Sequence, residues 1–449
     1  MNSVARIAIL AGLVTFSSAA YAADTMVIDG ATVHPITKDP FVGRVVIANG
    51  IITAVGADVA IPPDAQRIDA AGLHVYPGLF DAFSSLGLVE VDAVSATNDH
   101  TEMGMYNPHL LAATAIHPSS EVLPVTRANG ITHAIVAPRA GRDGVISGQA
   151  ALVNLDGWTV AEMAVEPSLA MVIDWPGIVT RRYDPVTFSF KDTPYNDAKE
   201  AAEKEQNELR EWFDAARHYQ QADGVKDSRA QRDQKLAALS LCLEGKKPVI
   251  IVAEAKRDIE AAVAFAEEYQ LNMILAGAAD AWRVKELLAK KNIPVILRRT
   301  QSLPREEDDS YDQPYATPAQ LREAGIRIAF ASSAGSGGGA PSGPHGSRTV
   351  PYEAEQATGY GLSEDDALRA VTLWPAEIFG VADRLGSIEA GKIANLIVTD
   401  GSPLAIESQL RHLVIAGRVV ELGNKHASLY EKYRARPHRE PSGAVGARR

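Results

Sequence analysis

The sequence contains a single cysteine, Cys242, in 449 residues. This excludes intrachain disulfides, thiolate zinc clusters and iron–sulfur centres, each of which needs several cysteines. Cys242 lies in the largely apolar run from Leu236 to Leu243, and we interpret it as a core residue rather than a reactive thiol. If the protein binds a metal ion, the ligands must come from carboxylates and from the 11 histidines.

The chain also lacks an excess of positive charge. There are 44 Lys and Arg against 56 Asp and Glu, a formal net charge of −12, which argues against nucleic acid as the main partner because that binding depends on cations that neutralise phosphates. Charged residues make up 22% and apolar residues 46% of the chain, as in ordinary globular proteins. A disordered, collagen-like or disulfide-stapled protein is therefore excluded.

Two other absences limit the function. After the first residues, no apolar run approaches the roughly 18 to 20 residues that span a bilayer, so we expect no membrane span. The sequence also has none of the motifs H-E-x-x-H, G-x-S-x-G, Walker A or G-x-G-x-x-G. Zincin-type proteases, α/β-hydrolases, P-loop enzymes and dinucleotide-binding enzymes are therefore not indicated.

Residues 1–22 are predicted to be a signal peptide. Arg6 is followed by a mostly apolar segment from Ile7 to Phe16, and Ala20-Tyr21-Ala22 supplies the small-x-small pattern of a cleavage site. We expect cleavage after Ala22 and export of the protein, to the periplasm if the source is Gram-negative.

The remaining chain alternates between two textures, which predict an α/β fold. Short β-rich runs occur near both ends, with an Asn49-Gly50 hairpin signal, and predict a small β-sandwich domain built from residues 23–75 and 386–425. Between them, residues 76–385 alternate apolar strands with helical segments, the pattern of a parallel sheet covered by helices, and predict a (β/α)8 TIM barrel. Residues 426–449 are predicted to form a tail that is disordered from Arg434 onward.

Three segments resemble landmarks of the amidohydrolase superfamily, in particular its imidazolonepropionase-like group. Val75–Ala82 (VYPGLFDA) resembles the start of the family's first barrel strand, and Thr372–Ala376 (TLWPA) resembles its T-x-x-P-A helix. Gly386–Leu396 (GSIEAGKIANL) resembles its return to the β-domain, with Asn395 in place of the usual Asp. The resemblance implies a TIM barrel with a hydrolase activity on non-peptide carbon–nitrogen bonds, for which zinc is the usual cofactor.

The metal ligands that this resemblance implies are replaced in the sequence. Phe83 and Ser85 stand where the family has an H-x-H pair, which grips a metal because residues i and i+2 of a strand share one face. The fifth-strand histidine aligns with Val252, and the eighth-strand Asp, the family's metal ligand and general base, aligns with Ser333. No histidine falls near Ala276–Ala278, on the sixth strand. We therefore expect no metal cofactor bound in the family's usual way.

Other polar residues are candidates for a site that replaces the family's metal ligands. Glu90 and Asp92, two residues apart beyond the first strand, can act as acid and base or bind a hard cation, although a solvated or loop-bracing pair is the simpler interpretation. Asp99 and His100 follow in a dense polar segment. The glycine-rich run after the eighth strand, Gly335–Gly339, suits either a lid or an ordinary loop.

Two functional hypotheses follow from the sequence. In the first, the protein is an exported amidohydrolase-type hydrolase with a metal centre that is absent or rebuilt. In the second, it is a non-catalytic relative that binds a small-molecule ligand or forms an oligomer, either with itself or with an active related amidohydrolase. The simultaneous replacement of all the expected ligands motivates the second hypothesis, and the intact scaffold motivates the first.

Overall fold

The computed structural model describes residues 25–141, 144–184, 187–223, 233–335 and 344–436. The predicted signal peptide lies outside these residues, as do residues 437–449 of the predicted tail and most of the Gly335–Gly339 run. The first part of the predicted tail forms a helix that begins at Lys425. In the part of the chain that is described, no helix is both long and apolar enough to cross a bilayer.

The strands and helices follow in chain order. The strands are β1 (Thr25–Val33), β2 (Phe41–Ala48), β3 (Ile51–Gly56), β4 (Gln66–Asp69), β5 (His74–Pro77), β6 (Leu79–Ser84), β7 (Ile131–Val136), β8 (Ile146–Asn154), β9 (Ala164–Asp174), β10 (Arg181–Asp184), β11 (Ser189–Asp192), β12 (Val249–Ala253), β13 (Met273–Gly277), β14 (Val295–Leu297), β15 (Ile328–Phe330), β16 (Leu396–Thr399), β17 (Leu410–Ile415) and β18 (Arg418–Val420). The helices are α1 (Val122–Arg127), α2 (Val160–Met163), α3 (Tyr195–Asp223), α4 (Gln234–Leu243), α5 (Lys256–Glu268), α6 (Lys285–Lys290), α7 (Gln313–Glu323), α8 (Val350–Thr358), α9 (Glu364–Ala370), α10 (Leu373–Ile378) and α11 (Lys425–Arg434).

Strands from both chain ends form one sheet, in the order β18-β17-β16-β5-β1-β2-β3, with β4 beside β1. The first half of β1 pairs with β4 and its second half pairs with β5. The register shifts between Asp29 and Ala31, where Gly30 has a φ of +77°, a conformation that glycine adopts without steric cost. This bulge lets one strand serve two neighbours, so the ends of the chain meet in a single layer.

The second large sheet is the barrel, in the order β15-β14-β13-β12-β9-β8-β7-β6. Successive residues of a strand point to opposite faces. In β12, Ile250 and Val252 pack inside the barrel with Phe80, whereas Ile251 packs outside, in the cluster that contains Phe265 of α5. Because both faces are covered, strands such as β12 and β14 are apolar along their whole length.

The predicted fold class is confirmed: an α/β barrel with an additional sheet built from both chain ends. One strand differs from the parallel pattern, since β8 runs antiparallel to both β7 and β9. At the other side, β15 contacts β6 and nearly closes the barrel. Across this seam the buried Asp81 accepts a hydrogen bond from the Ser332 amide at 3.0 Å, and the Ser333 amide donates to the Phe83 carbonyl at 3.0 Å.

The barrel meets the second sheet at a buried polar group centred on Asn395. Its Nδ2 donates to Oδ1 of Asn154 at 2.7 Å and lies 3.2 Å from Nδ1 of His133, and its Oδ1 accepts from the Ala416 amide at 2.7 Å. His133 is buried edge-on against Phe80. This burial lowers the pKa of His133 to about 3, so the ring is neutral in the folded protein.

We expect His133 to make the fold sensitive to acid. Its pKa falls from 6.5 to about 3 on folding, so the unfolded chain binds a proton that the folded chain excludes, and stability is lost as the pH falls below 6.5. Between pH 7.5 and pH 5.5 this costs about 1.4 kcal/mol of unfolding free energy. The variant His133→Asn should be less stable at both pH values but should lose less on acidification, as measured by urea unfolding.

The exposed His218, replaced in the same way, serves as the control because an exposed ring loses little hydration on folding. Equal acid sensitivity in the wild type and in His133→Asn would contradict the assignment.

Candidate functional site

The positions that align with the family's metal ligands lie in or beside the barrel interior. Phe83 and Val252 belong to the apolar cluster that fills the barrel and are 2% and 4% exposed. Ser333 is buried next to Phe83 through the backbone hydrogen bond across the seam, and Ser85 is also buried. Neither hydrocarbon side chain has a donor atom, so these positions do not fit a zinc ion.

The carboxylates of the predicted pair, Glu90 and Asp92, have different surroundings. Glu90 accepts hydrogen bonds from the Ser120 hydroxyl at 2.5 Å and from the Glu121 amide at 3.0 Å, so it braces the turn that leads into α1. Asp92 is exposed, and its carbonyl accepts from the Asn98 side chain at 2.9 Å. The structure therefore does not bring the two carboxylates together on one ligand.

Asp99 and His100 also have separate surroundings. Asp99 is exposed, and its amide donates to the Leu88 carbonyl at 2.7 Å. His100 is half-buried and its Nδ1 is buried with no hydrogen-bond partner among the described residues. Burial, helped by the charge of Arg139, lowers the pKa of His100, although Asp92 and Asp99 act in the opposite direction. A neutral imidazole thus lies near Arg139, whose amide donates to the His100 carbonyl at 2.7 Å.

Across the ranges described, no three side chains of the types His, Cys, Asp and Glu lie close enough to hold a metal ion. The charged residues at the carboxyl-terminal ends of the barrel strands form a different kind of site. We call this set the mouth cluster; its members are Arg139 after β7, Asp174 at the end of β9, Glu254 after β12 and Arg298 after β14.

Strand geometry places the two acidic members on neighbouring strands. Val252 of β12 pairs with Asp174 of β9, and Glu254 follows Val252 by two residues on the same face. Inside the strand, the residues that alternate with Asp174 are Ala170 and Val172, which pack in the barrel interior. Asp174 and Glu254 therefore stand at the rim of the apolar interior.

Asp174 is a half-buried carboxyl group with a defined set of donors. Its Oδ2 accepts from the Ser147 hydroxyl at 2.8 Å and from the Ala140 amide at 3.1 Å. Burial raises the pKa of Asp174 above its usual value, even though the Ser147 hydroxyl, the Arg139 charge and the Ala140 amide favour the ionised form. A carboxyl group that is shifted toward protonation at the mouth of a barrel is suited to exchange protons with a substrate.

Glu254 lies against two glycines that leave room for its carboxylate. Its Oε2 accepts from the Ala279 amide at 3.1 Å and lies 3.8 Å from Nη1 of Arg298. A Cβ atom on Gly277 or Gly335 would come within 2.8 Å or 2.4 Å of Oε1, and both glycines have positive φ values, +84° and +114°. No larger residue fits either position without displacing the carboxylate.

Gly335 also connects Glu254 with Arg139, because its carbonyl accepts a hydrogen bond from Nη2 of Arg139. The mouth cluster thus alternates negative and positive groups: Asp174 lies within the field of the Arg139 charge, and Arg139 is joined through Gly335 to Glu254 and Arg298. The carboxyl groups can accept or donate a proton, and the guanidinium groups can bind an anion or stabilise developing negative charge.

Sequence reasoning missed this cluster. The histidines and the polar segment after the first strand were the expected site, whereas three of the four members are the last residue of an apolar strand or lie within two residues of its end. The available signal was the first charged residue after each apolar run, because parallel strands end at the same edge and bring those residues together.

Comparisons with known proteins agree on one family. The model of the Amidohydrolase family matches residues 199–424, just over half of the chain. The crystal structure of an amidohydrolase from Thermotoga maritima superposes with a TM-score of 0.74 at 27% identity, over 88% of this chain and 99% of that one. Molinate hydrolase superposes with a TM-score of 0.54 at 16% identity, over 94% of this chain and 99% of that one, which shows the fold alone.

A curated relative, the amidohydrolase tasK of Hapsidospora irregularis, is 24% identical over 402 residues. The match covers 82% of this chain but 38% of the relative, so the chain spans well under half the length of that protein.

We expect the ionised carboxylate of Asp174 to lower the free energy of unfolding at neutral pH. Because the pKa of Asp174 is raised, the folded chain resists ionisation, and the variant Asp174→Asn should have a higher free energy of unfolding than the wild type at neutral pH. The gain should shrink as the pH falls through the folded pKa toward the unfolded value of 3.8, where the wild-type carboxyl group is also neutral. Thermal unfolding from pH 8 to pH 4 measures it.

Asp156→Asn is the matched control, since Asp156 is ion-paired with Arg127 at 3.0 Å and with Arg418 at 3.2 Å. That variant should be no more stable than the wild type at any pH. If Asp174→Asn behaves like Asp156→Asn, then Asp174 is an ordinary structural carboxylate.

Proposed function

We propose, since this chain belongs to the amidohydrolase family, that it is a hydrolase of non-peptide carbon–nitrogen bonds and that its reaction takes place at the mouth cluster. The single observation that supports this most strongly is the position of Asp174 and Glu254. Both stand at the carboxyl-terminal ends of barrel strands, the end at which enzymes with this architecture carry out their chemistry.

The same residues suggest how water would be activated. An ionised carboxylate of the pair, in the simplest arrangement Glu254, takes a proton from water as the oxygen attacks the carbonyl carbon of an amide or imide. The guanidinium of Arg139, which Gly335 links to Glu254, stabilises the negative charge that develops on the carbonyl oxygen. Asp174, whose pKa burial raises, donates a proton to the leaving nitrogen as the carbon–nitrogen bond breaks. The products are a carboxylic acid and an amine from an amide, or a carboxylic acid and an amide from an imide.

We further propose that the reaction proceeds without a zinc ion at the family's usual positions. Phe83 and Val252 offer only hydrocarbon, and Ser85 and Ser333 offer neutral hydroxyls, which are poor zinc ligands. No step is therefore assigned to a metal ion. We also propose that the protein belongs to the imidazolonepropionase-like group, on the three sequence landmarks, and that it is exported, on residues 1–22.

The test is a hydrolysis screen with amides, cyclic imides and ureas, carried out on purified mature protein together with metal analysis. For any substrate that is turned over, Glu254→Gln and Asp174→Asn should each lower kcat/KM by roughly 100-fold or more, since each removes a proton-transfer group. The control variant Asp156→Asn should retain activity, because Asp156 pairs with Arg127 and Arg418 and is not part of the mouth cluster. Dialysis against a chelator should leave the wild-type rate unchanged.

Two outcomes would contradict the proposal in different ways. Stoichiometric zinc whose removal abolishes turnover would show that a metal centre has been rebuilt. An inert protein that co-purifies with a second amidohydrolase would favour a non-catalytic subunit of a mixed oligomer.

A further inference from the structure

A pocket opens beside the mouth cluster, between the ends of β13 and β14 and the start of α7. Its floor is formed by backbone at Gly277 and Ala278, and one wall is apolar, with Leu297 and Pro314 among its residues. Two arginines, Arg298 and Arg305, line the pocket. Since Glu254 contacts both Gly277 and Arg298, the pocket is continuous with the proposed reaction site.

The charge of the pocket is positive. Its one acidic lining residue, Asp309, has a side chain that is 3% exposed and accepts a hydrogen bond from Nη2 of Arg283, so its charge is already balanced. Arg305 lies 3.6 Å from Asp280 and 3.2 Å from Glu306. Of the two lining arginines, Arg298 is therefore the one whose charge is less fully compensated.

Arg298 has donors to spare. In the described chain its one ion-pair contact is Glu254, at 3.8 Å, which is longer than a direct hydrogen bond. A guanidinium group has five N–H donors arranged to bind a carboxylate with two parallel hydrogen bonds. The side chain is 28% exposed, so these donors can reach a ligand without any rearrangement of the core.

Ser302 provides an independent indication of a ligand. Its hydroxyl is buried and has no hydrogen-bond partner among the described residues, although it belongs to the lining of this pocket. Buried polar groups are nearly always hydrogen-bonded in folded proteins, because leaving one without a partner costs stability. A ligand oxygen that accepts from this hydroxyl would remove that cost.

We propose that this pocket binds the carboxylate of the substrate, with Arg298 and Ser302 as its donors and the apolar wall against a hydrocarbon group next to it. The substrate class is then an amide that carries a carboxylate and an apolar side chain, such as an N-acyl amino acid. That this amide is hydrolysed rests on the proposed function, whereas the binding of its carboxylate in the pocket does not.

The test is calorimetric titration of the mature protein with N-acetyl-L-leucine and with its neutral counterpart, N-acetyl-L-leucine amide. The carboxylate should bind and the neutral amide should bind at least roughly tenfold more weakly, because a hydrogen bond to a charged group is lost. Arg298→Gln should remove most of this preference and Ser302→Ala part of it. Arg411→Gln is the matched control, since Arg411 pairs with Asp400 on the other sheet, at 2.6 Å.

The outcomes separate this inference from the proposed function. Equal binding of the two compounds, or a preference that survives in Arg298→Gln, would overturn the carboxylate pocket even if neutral amides are hydrolysed. Binding that depends on Arg298 and Ser302, with no turnover of any amide, would support the pocket and contradict the hydrolase. Circular dichroism of each variant, compared with the wild type, shows that lost binding does not reflect unfolding.

Discussion

The rest of the structure depends on the apolar filling of the barrel. Phe80, Ile250 and Val252 pack against one another in its interior, and an unpaired charge among such side chains would cost several kcal/mol. Charge is therefore confined to the rim, where the strands end and backbone amides and water are available. The mouth cluster lies at this boundary, which explains why its acidic members are separated by only one or two residues from fully apolar positions.

The same boundary explains the electrostatic character of the site. Asp174 is close enough to the apolar interior for burial to raise its pKa, yet it retains donors from Ser147 and Ala140 that hold the carboxyl group in one orientation. Phe83 and Val252 place hydrocarbon in the barrel interior below this rim, and Glu254 lies 3.8 Å from the guanidinium of Arg298.

The seam of the barrel links the fold to the site. Asp81 accepts a hydrogen bond from the Ser332 amide, and the Ser347 hydroxyl lies 3.1 Å from the hydroxyls of both Ser84 and Ser332. The loop after β15 is therefore attached to β6 at a buried point. Gly335, three residues later, contacts both Arg139 and Glu254. The buried hydrogen bonds of Ser332 thus fix the start of the loop in which Gly335 lies beside Arg139 and Glu254.

The sequence alone determined the architecture. Continuous apolar runs such as Ile131–Val136, which forms β7 with those same bounds, can be satisfied only by strands covered on both faces, and the three landmark segments identified the family. It did not determine the direction of β8, because periodicity is the same in either direction and direction is set by pairing with β7 and β9.

The candidate site was decided by the tertiary structure. Arg139, Asp174, Glu254 and Arg298 are separated by as many as 159 residues in the chain and meet only because neighbouring strands end at one edge. By contrast, Glu90 and Asp92 are two residues apart in sequence, but one carboxylate accepts a hydrogen bond from Ser120 and the other is in solvent. The sequence specifies which residues can carry charge; the pairing of the strands decides which of those charges meet.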